Sequence, residues 1–178
     1  MALTLISTST ASASATLDIT TGIDSTYDSY EFHYVNMHPA SNSAQLLFQG
    51  NAVGASGFNE TITSTAFQAY HDEANSYTSF AYDTTRDQAQ GTAYQHLSNA
   101  VGFENDESVS GVLTLYAPSS TTYVKHFISR SNTYFSSDYS IDVHVAGYIN
   151  VTAAIDEISF KFSAGNIDDG TIKMFGVS

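Results

Sequence analysis

His71-Asp72-Glu73 sets an imidazole beside two carboxylates, the residue types of general acid–base chemistry. Neighbours on a strand point to opposite faces, so the triplet reads as a solvated turn rather than a working dyad. The remaining histidines, His33, His38, His96, His126 and His144, show no metal-ligand spacing; His33 and His38 straddle a strand end just before Pro39. No Gly-x-Ser-x-Gly elbow is present. Two acidic loops, Glu104-Asn105-Asp106-Glu107 and Asn166-Ile167-Asp168-Asp169, carry the oxygens that calcium takes. Calcium needs about six to eight of them, so either loop needs partners from elsewhere, and neither has EF-hand spacing. The expectation is a chain with no catalytic residues, no cofactor and no metal.

Aromatic side chains are the other chemical resource. Tyr77, Phe80, Tyr82, Tyr94, Tyr134, Phe135 and Tyr139 fall in less regular segments. There they either stack on sugars and anchor a partner chain, or fill the ends of the fold. Asn59-Glu60-Thr61 and Asn150-Val151-Thr152 match the N-glycosylation pattern, but without a secretory signal they read as accidental.

The elements that must position these residues are strands. In Tyr30-Glu31-Phe32-His33-Tyr34-Val35-Asn36 the aromatics share one face and Glu31, His33 and Val35 the other. Ile141, Val143, Val145, Gly147 and Ile149 alternate without a break, and Ile158, Phe160 and Phe162 repeat the pattern. Further strands are expected over residues 3–8, 16–20, 45–49, 60–72, 77–82, 92–97, 109–116, 123–130 and 171–177. Residues 84–90 suggest a helical turn. Residues 30–36 and 45–49 suggest a hairpin, and Gly165 to Gly170 the tip of another between the last two strands. With around ten strands and no βαβ alternation, the expectation is all-β: an antiparallel two-sheet sandwich, jelly-roll-like, with a barrel as the alternative. Phe32, Val143, Val145, Ile158 and Phe160 are its expected core.

The 178 residues are most simply one domain, 1–178, with an N-terminal arm over about 1–14. The arm is low in complexity, so it must pair with a sheet edge to offset the cost of ordering. The absence of cysteine removes disulfides and thiolate chemistry. Net charge is −13, and the five basic residues, Arg86, Lys125, Arg130, Lys161 and Lys173, are scattered among acids. Nucleic acid and anionic membranes are therefore poor partners. The apolar run over residues 1–6 has no basic residue before it and is short for a signal, so no targeting segment is expected. A neutral polar surface suits permanent assembly or sugar contact.

Three stretches carry a resemblance. They are Tyr30-Glu31-Phe32 through Asn36 with Pro39-Ala40; Gly57-Phe58-Asn59-Glu60-Thr61; and Ile155-Asp156-Glu157-Ile158-Ser159-Phe160, leading through Gly165-Asn166 and Gly170-Thr171-Ile172 to Phe175-Gly176-Val177. Together they resemble small β-sandwich structural proteins of tailed bacteriophages, particularly those of marine bacteria. The likeness covers a minority of the chain and brings no catalytic motif. It implies a non-enzymatic virion subunit, assembled in the host cytoplasm, as a capsid decoration or a tail-associated protein. The partners it implies are copies of the chain itself, in a trimer or other cyclic oligomer, and a larger capsid or tail protein. The alternative is a glycan- or receptor-binding module of a phage tail, with the loop aromatics and acidic loops as its site. An enzyme such as a glycan hydrolase lacks its paired carboxylates here.

Overall fold

The computed structural model describes residues 2–178. Twelve strands follow one another: β1 (Leu3–Thr10), β2 (Leu17–Ile19), β3 (Ser29–Pro39), β4 (Leu46–Ala52), β5 (Ile62–Asp72), β6 (Thr78–Tyr82), β7 (Gln95–His96), β8 (Val109–Tyr116), β9 (Lys125–Phe135), β10 (Tyr139–Ile149), β11 (Ile155–Phe162) and β12 (Ile167–Val177). They form an eight-stranded sheet, β1-β12-β3-β8-β9-β10-β5-β6, and a four-stranded sheet, β2-β11-β4-β7. All pairings between them are antiparallel. The protein is an all-β sandwich.

The topology has a simple logic. If the hairpins β5–β6 and β9–β10 are set aside, eight strands remain. The first pairs with the last (β1 with β12), the second with the next to last (β2 with β11), then β3 with β8 and β4 with β7. That is one long hairpin rolled up across two sheets, a jelly roll. The two inserted hairpins pair with each other through β10 and β5, and they carry the large sheet well past the small one.

Alternation decides which side chains enter the core. Tyr30, Phe32 and Tyr34 on β3 are wholly buried, while Glu31 and His33 face outward. Val143, Val145, Ile158 and Phe160 are buried as expected. Aromatic pairs bridge the sheets: Phe32 meets Phe160 at 5.8 Å between ring centroids, and Phe48 meets Phe127 edge-on at 4.9 Å. Such contacts add about 0.5–1.5 kcal/mol each beyond the area they bury.

Four expectations need correction. Residues 30–36 and 45–49 do not make a hairpin, because β3 and β4 lie in opposite sheets. The final pair behaves likewise: the chain crosses from β11 in the small sheet to β12 in the large one. Alternation fixes which face is buried, not which strand is the neighbour. Gly170 does have positive φ (128°), but at a bulge of β12 against β3 rather than at a hairpin tip. A Cβ there would lie 2.8 Å from the Met37 Cα and 2.9 Å from the Asn36 carbonyl oxygen, so close approach of backbones demands the glycine. Residues 84–90 form no helix but open on a hydrogen-bonded turn, the Arg86 N–H donating to the Asp83 carbonyl at 3.3 Å, and in 92–97 only Gln95–His96 pairs as strand. The N-terminal arm is largely β1 itself, paired with β12 of the same chain.

Since four strands cannot cover eight, the inner face of the inserted hairpins needs another lid. Residues 83–101 supply it with polar side chains. Gln95, wholly buried, accepts from the Ser64 hydroxyl (2.7 Å) and the Gln88 amide (3.2 Å), and donates to the Arg86 and His96 carbonyls. Phe160→Ala is expected to cost about 3–5 kcal/mol of unfolding free energy by removing the inter-sheet contact and leaving a cavity. Chemical denaturation reads this directly, with Tyr123→Ala, 71% exposed, as a control expected to stay within about 0.5 kcal/mol.

Candidate functional site

At the free end of this lid the two inserted hairpins meet in a cleft of about 330 Å³. Register explains its walls. Tyr70 on β5 sits opposite Ile141 on β10, and Asp72 opposite Tyr139, which in turn faces Phe135 on β9. Three neighbouring strands thus turn Tyr70, Tyr139 and Phe135 to one side. Tyr77 joins them from the β5–β6 turn. Tyr70 lies 5.6 Å from Tyr77 and 6.1 Å from Tyr139 between ring centroids, and Phe135 lies 5.8 Å from Tyr139. Gln68, Asn99, Ser137 and Ile141 complete the lining, so among the described residues no ionised side chain lines the cleft.

Both hairpin tips are pinned. Asp72, buried at the end of β5, accepts from the Ser76 N–H (2.9 Å), the Tyr77 N–H (2.8 Å) and the Ser76 hydroxyl. The hydroxyl first, then the amides, hold its carboxyl below the usual carboxylate range. The Glu73 N–H donates to the Asp138 carbonyl at 2.9 Å and so ties one tip to the other. The Tyr70 phenol, by hydrogen bonding first and charge repulsion second, pushes the Tyr77 hydroxyl above its ordinary value.

The floor is an amide pair. Asn99 donates from Nδ2 to Gln68 Oε1 at 2.6 Å. Its own Oδ1 accepts from Arg86 Nη2 (2.7 Å) and the Ala100 N–H (2.6 Å), which fixes the amide's orientation. Arg86 is anchored in turn by Asp83. Burial raises the Asp83 carboxyl, but bonds from Thr85 and the Arg86 charge outweigh it, and the net effect is a lowered pKa.

The structure separates His71-Asp72-Glu73: His71 and Glu73 are exposed while Asp72 caps a turn inside. It does bring the two acidic loops together. Asn36, His38, Asp106, Glu107, Asp168 and Asp169 line one cleft. There the His38 Nδ1–H donates to the Glu107 carbonyl at 2.6 Å, and the Glu107 carboxylate accepts from the Glu104 N–H at 2.7 Å. Among the described residues, no three His, Cys, Asp or Glu side chains are grouped to hold a metal. Of the candidate aromatics, Tyr77, Phe135 and Tyr139 converge in the cleft. Phe80 and Tyr82 stand on the outer face of β6, and Tyr134 donates to Asp138. Tyr94 donates to Ser159 beneath the Lys161 ammonium. Tyr70, Gln68 and Asn99 were not legible as site residues. For the first two the signal was available, since Gln68, Tyr70 and Asp72 alternate on one face of β5. Comparison of the chain with protein-family models, curated proteins and solved structures finds no match.

The carboxyl shifts fix the sign of a pH dependence. Asp72, Asp83 and Asp142 all titrate lower when folded than when unfolded; Asp142 is held down chiefly by its hydrogen bonds from Arg130. Their contribution is therefore complete above about pH 4, the unfolded carboxylate value, and is lost as pH falls through the folded values. Thermal melts from pH 7 to pH 2.5 are expected to show Tm falling below about pH 4, with a shallower fall in Asp83→Asn.

Proposed function

We propose that the chain is a non-enzymatic structural subunit of a tailed-bacteriophage virion, a capsid decoration or tail-associated protein, that self-assembles through the outer face of its large sheet. The observation that carries this reading is the make-up of that face. Phe80 is 72% exposed and Ile128 51%, with Phe67, Tyr82 and Tyr116 also exposed beside them. Phe67 stacks flat on His144 at 4.8 Å and lies 5.5 Å from Phe80. Ile128, Tyr116, His126 and Tyr148 border a shallow depression over Ala146. Two apolar groups, one around Phe67 and Phe80 and one around Ile128 and Tyr116, thus share this face, and exposed apolar surface of this kind marks interaction sites.

Charge selects the occupant. The molecule carries −13 overall, yet among the described residues the strands of this face, away from the Asp168–Asp169 end of β12, bear only Glu31, Arg130, Asp142 and Lys173 on it, with Asp87 reaching its edge to accept from the Tyr82 hydroxyl at 2.6 Å. Arg130 and Asp142 satisfy each other in a two-pronged pair at 3.0 and 2.8 Å. The neutral patch is the surface two acidic copies can bring together with least repulsion. A cyclic oligomer closes such contacts, and the trimer is the first arrangement to test. A larger capsid or tail protein is the second partner of this reading, and the virion its location.

The histidine–carboxylate contacts suit this reading better than catalysis. His33 with Glu31 (2.7 Å) and His144 with Asp142 (3.3 Å) sit part-exposed on an open sheet, where a general base gains little from its surroundings. The jelly roll occurs in viral capsid and lectin domains alike, so fold alone assigns no function.

Light scattering at micromolar concentration is expected to give a multimer that Phe80→Glu with Ile128→Glu converts to a folded monomer. A monomeric parent protein defeats self-assembly through this face. Quantitative mass spectrometry of purified particles is expected to find the chain, in hundreds of copies for a capsid position or about a dozen or fewer for a tail. Its absence defeats the virion assignment.

A further inference from the structure

We infer that the cleft between the inserted hairpins is a binding site for an uncharged carbohydrate, one or two pyranose rings in size. The inference stands apart from the assembly face, which occupies the opposite surface of the same strands. At about 330 Å³ the cleft falls at the small end of the roughly 300–1,000 Å³ typical of ligand sites.

The chemistry of the lining singles out the ligand class. A pyranose presents an apolar C–H face and a polar hydroxyl rim. The negative face of an aromatic ring attracts such C–H groups, and Tyr77, half exposed, offers a ring beside Tyr70 and Tyr139. Below them Gln68 spends its Oε1 on Asn99, while its Nε2–H₂ donates to no protein group among the described residues. A hydroxyl can accept from it. The tyrosine phenols add groups that both donate and accept. Among the described residues, phosphates and other anions find no cation lining the cleft, and cationic ligands find no carboxylate lining it. In a chain of −13, a charge-free cleft excludes both.

The site is also built before ligand arrives. Asp72 fixes the backbone at Tyr77, the Glu73–Asp138 bond locks the two tips, and Arg86 holds the Asn99 amide in one orientation. Pre-organisation of this kind lowers the ordering cost of binding.

The test uses the full chain and a panel of neutral probes: glucose, galactose, mannose, N-acetylglucosamine and their β- and α-linked di- to tetrasaccharides. Saturation-transfer NMR detects contact and calorimetry gives Kd. At least one probe is expected to bind. Tyr77→Ala, with Tm unchanged, and Gln68→Ala, with Tm lowered by the loss of its bond from Asn99, should each weaken it by about tenfold, while Tyr77→Phe keeps most of the affinity. Oligomer mass measured on the same samples should be unaffected, which separates this result from the assembly reading. The inference fails if no probe binds. It fails equally if binding survives both alanine substitutions, or if a proline-rich peptide binds the cleft and no sugar does.

Discussion

Gln95 makes the bonds on which the extended half of the molecule depends. It is wholly buried, and each polar atom of its amide is engaged twice. A jelly roll of eight strands closes its own core. Adding two hairpins to one sheet creates an inner face with no second sheet opposite it. Residues 83–101, irregular apart from the two-residue β7, cover that face, which brings backbone groups that longer strands would otherwise have paired. Such a layer holds only if its polar groups are satisfied locally, since an unpaired buried amide costs about 1–3 kcal/mol. Gln95, Gln88, Ser64, Arg86 and Asn99 meet most of that need by bonding to one another. The floor of the aromatic cleft is the last link of the same network, so the cleft inherits its order from the lid.

This arrangement divides the molecule into scaffold and graft. The rolled eight-stranded unit is the scaffold, and the exposed aromatic features lie mostly on the hairpins. Tyr70, Tyr77, Phe135 and Tyr139 come from the inserted hairpins, and so do Phe67, Phe80, Tyr82 and Ile128 on the reverse side. Function carried on elements added to a common fold is the usual pattern.

Much of the fold was legible because β-structure with one buried face has a period of two. Phe32, Val143, Val145, Ile158 and Phe160 announced themselves by parity alone, and the number of strands was missed by only a few. What parity does not encode is partnership. The turn over residues 40–45 looks like a hairpin connection, yet it carries the chain between sheets, and no local residue pattern distinguishes the two. The short β7 was overestimated because Tyr94 and Leu97 are apolar for packing rather than for pairing. At the site, three of the cleft's aromatics drew notice as residues of irregular segments, whereas Tyr70 lay hidden in a strand. Asn99 became meaningful only through Arg86, thirteen positions away in sequence.

The scarcity of basic residues has a consequence for durability. Trypsin-like proteases cut after lysine and arginine, and need several residues of slack chain around the bond. Here Lys125 and Arg130 lie in β9, Lys161 in β11 and Lys173 in β12. The Lys125 ammonium is itself sealed inside, donating to the Tyr123, Val151 and Thr152 carbonyls. Arg86, in the lid, is clamped by Asp83 and Asn99. None of the five scissile bonds sits on a free loop tip. Digestion by such enzymes must wait for strands or the lid to detach, so the chain's lifetime in a protease-rich medium follows the free energy of such openings rather than the accessibility of its surface.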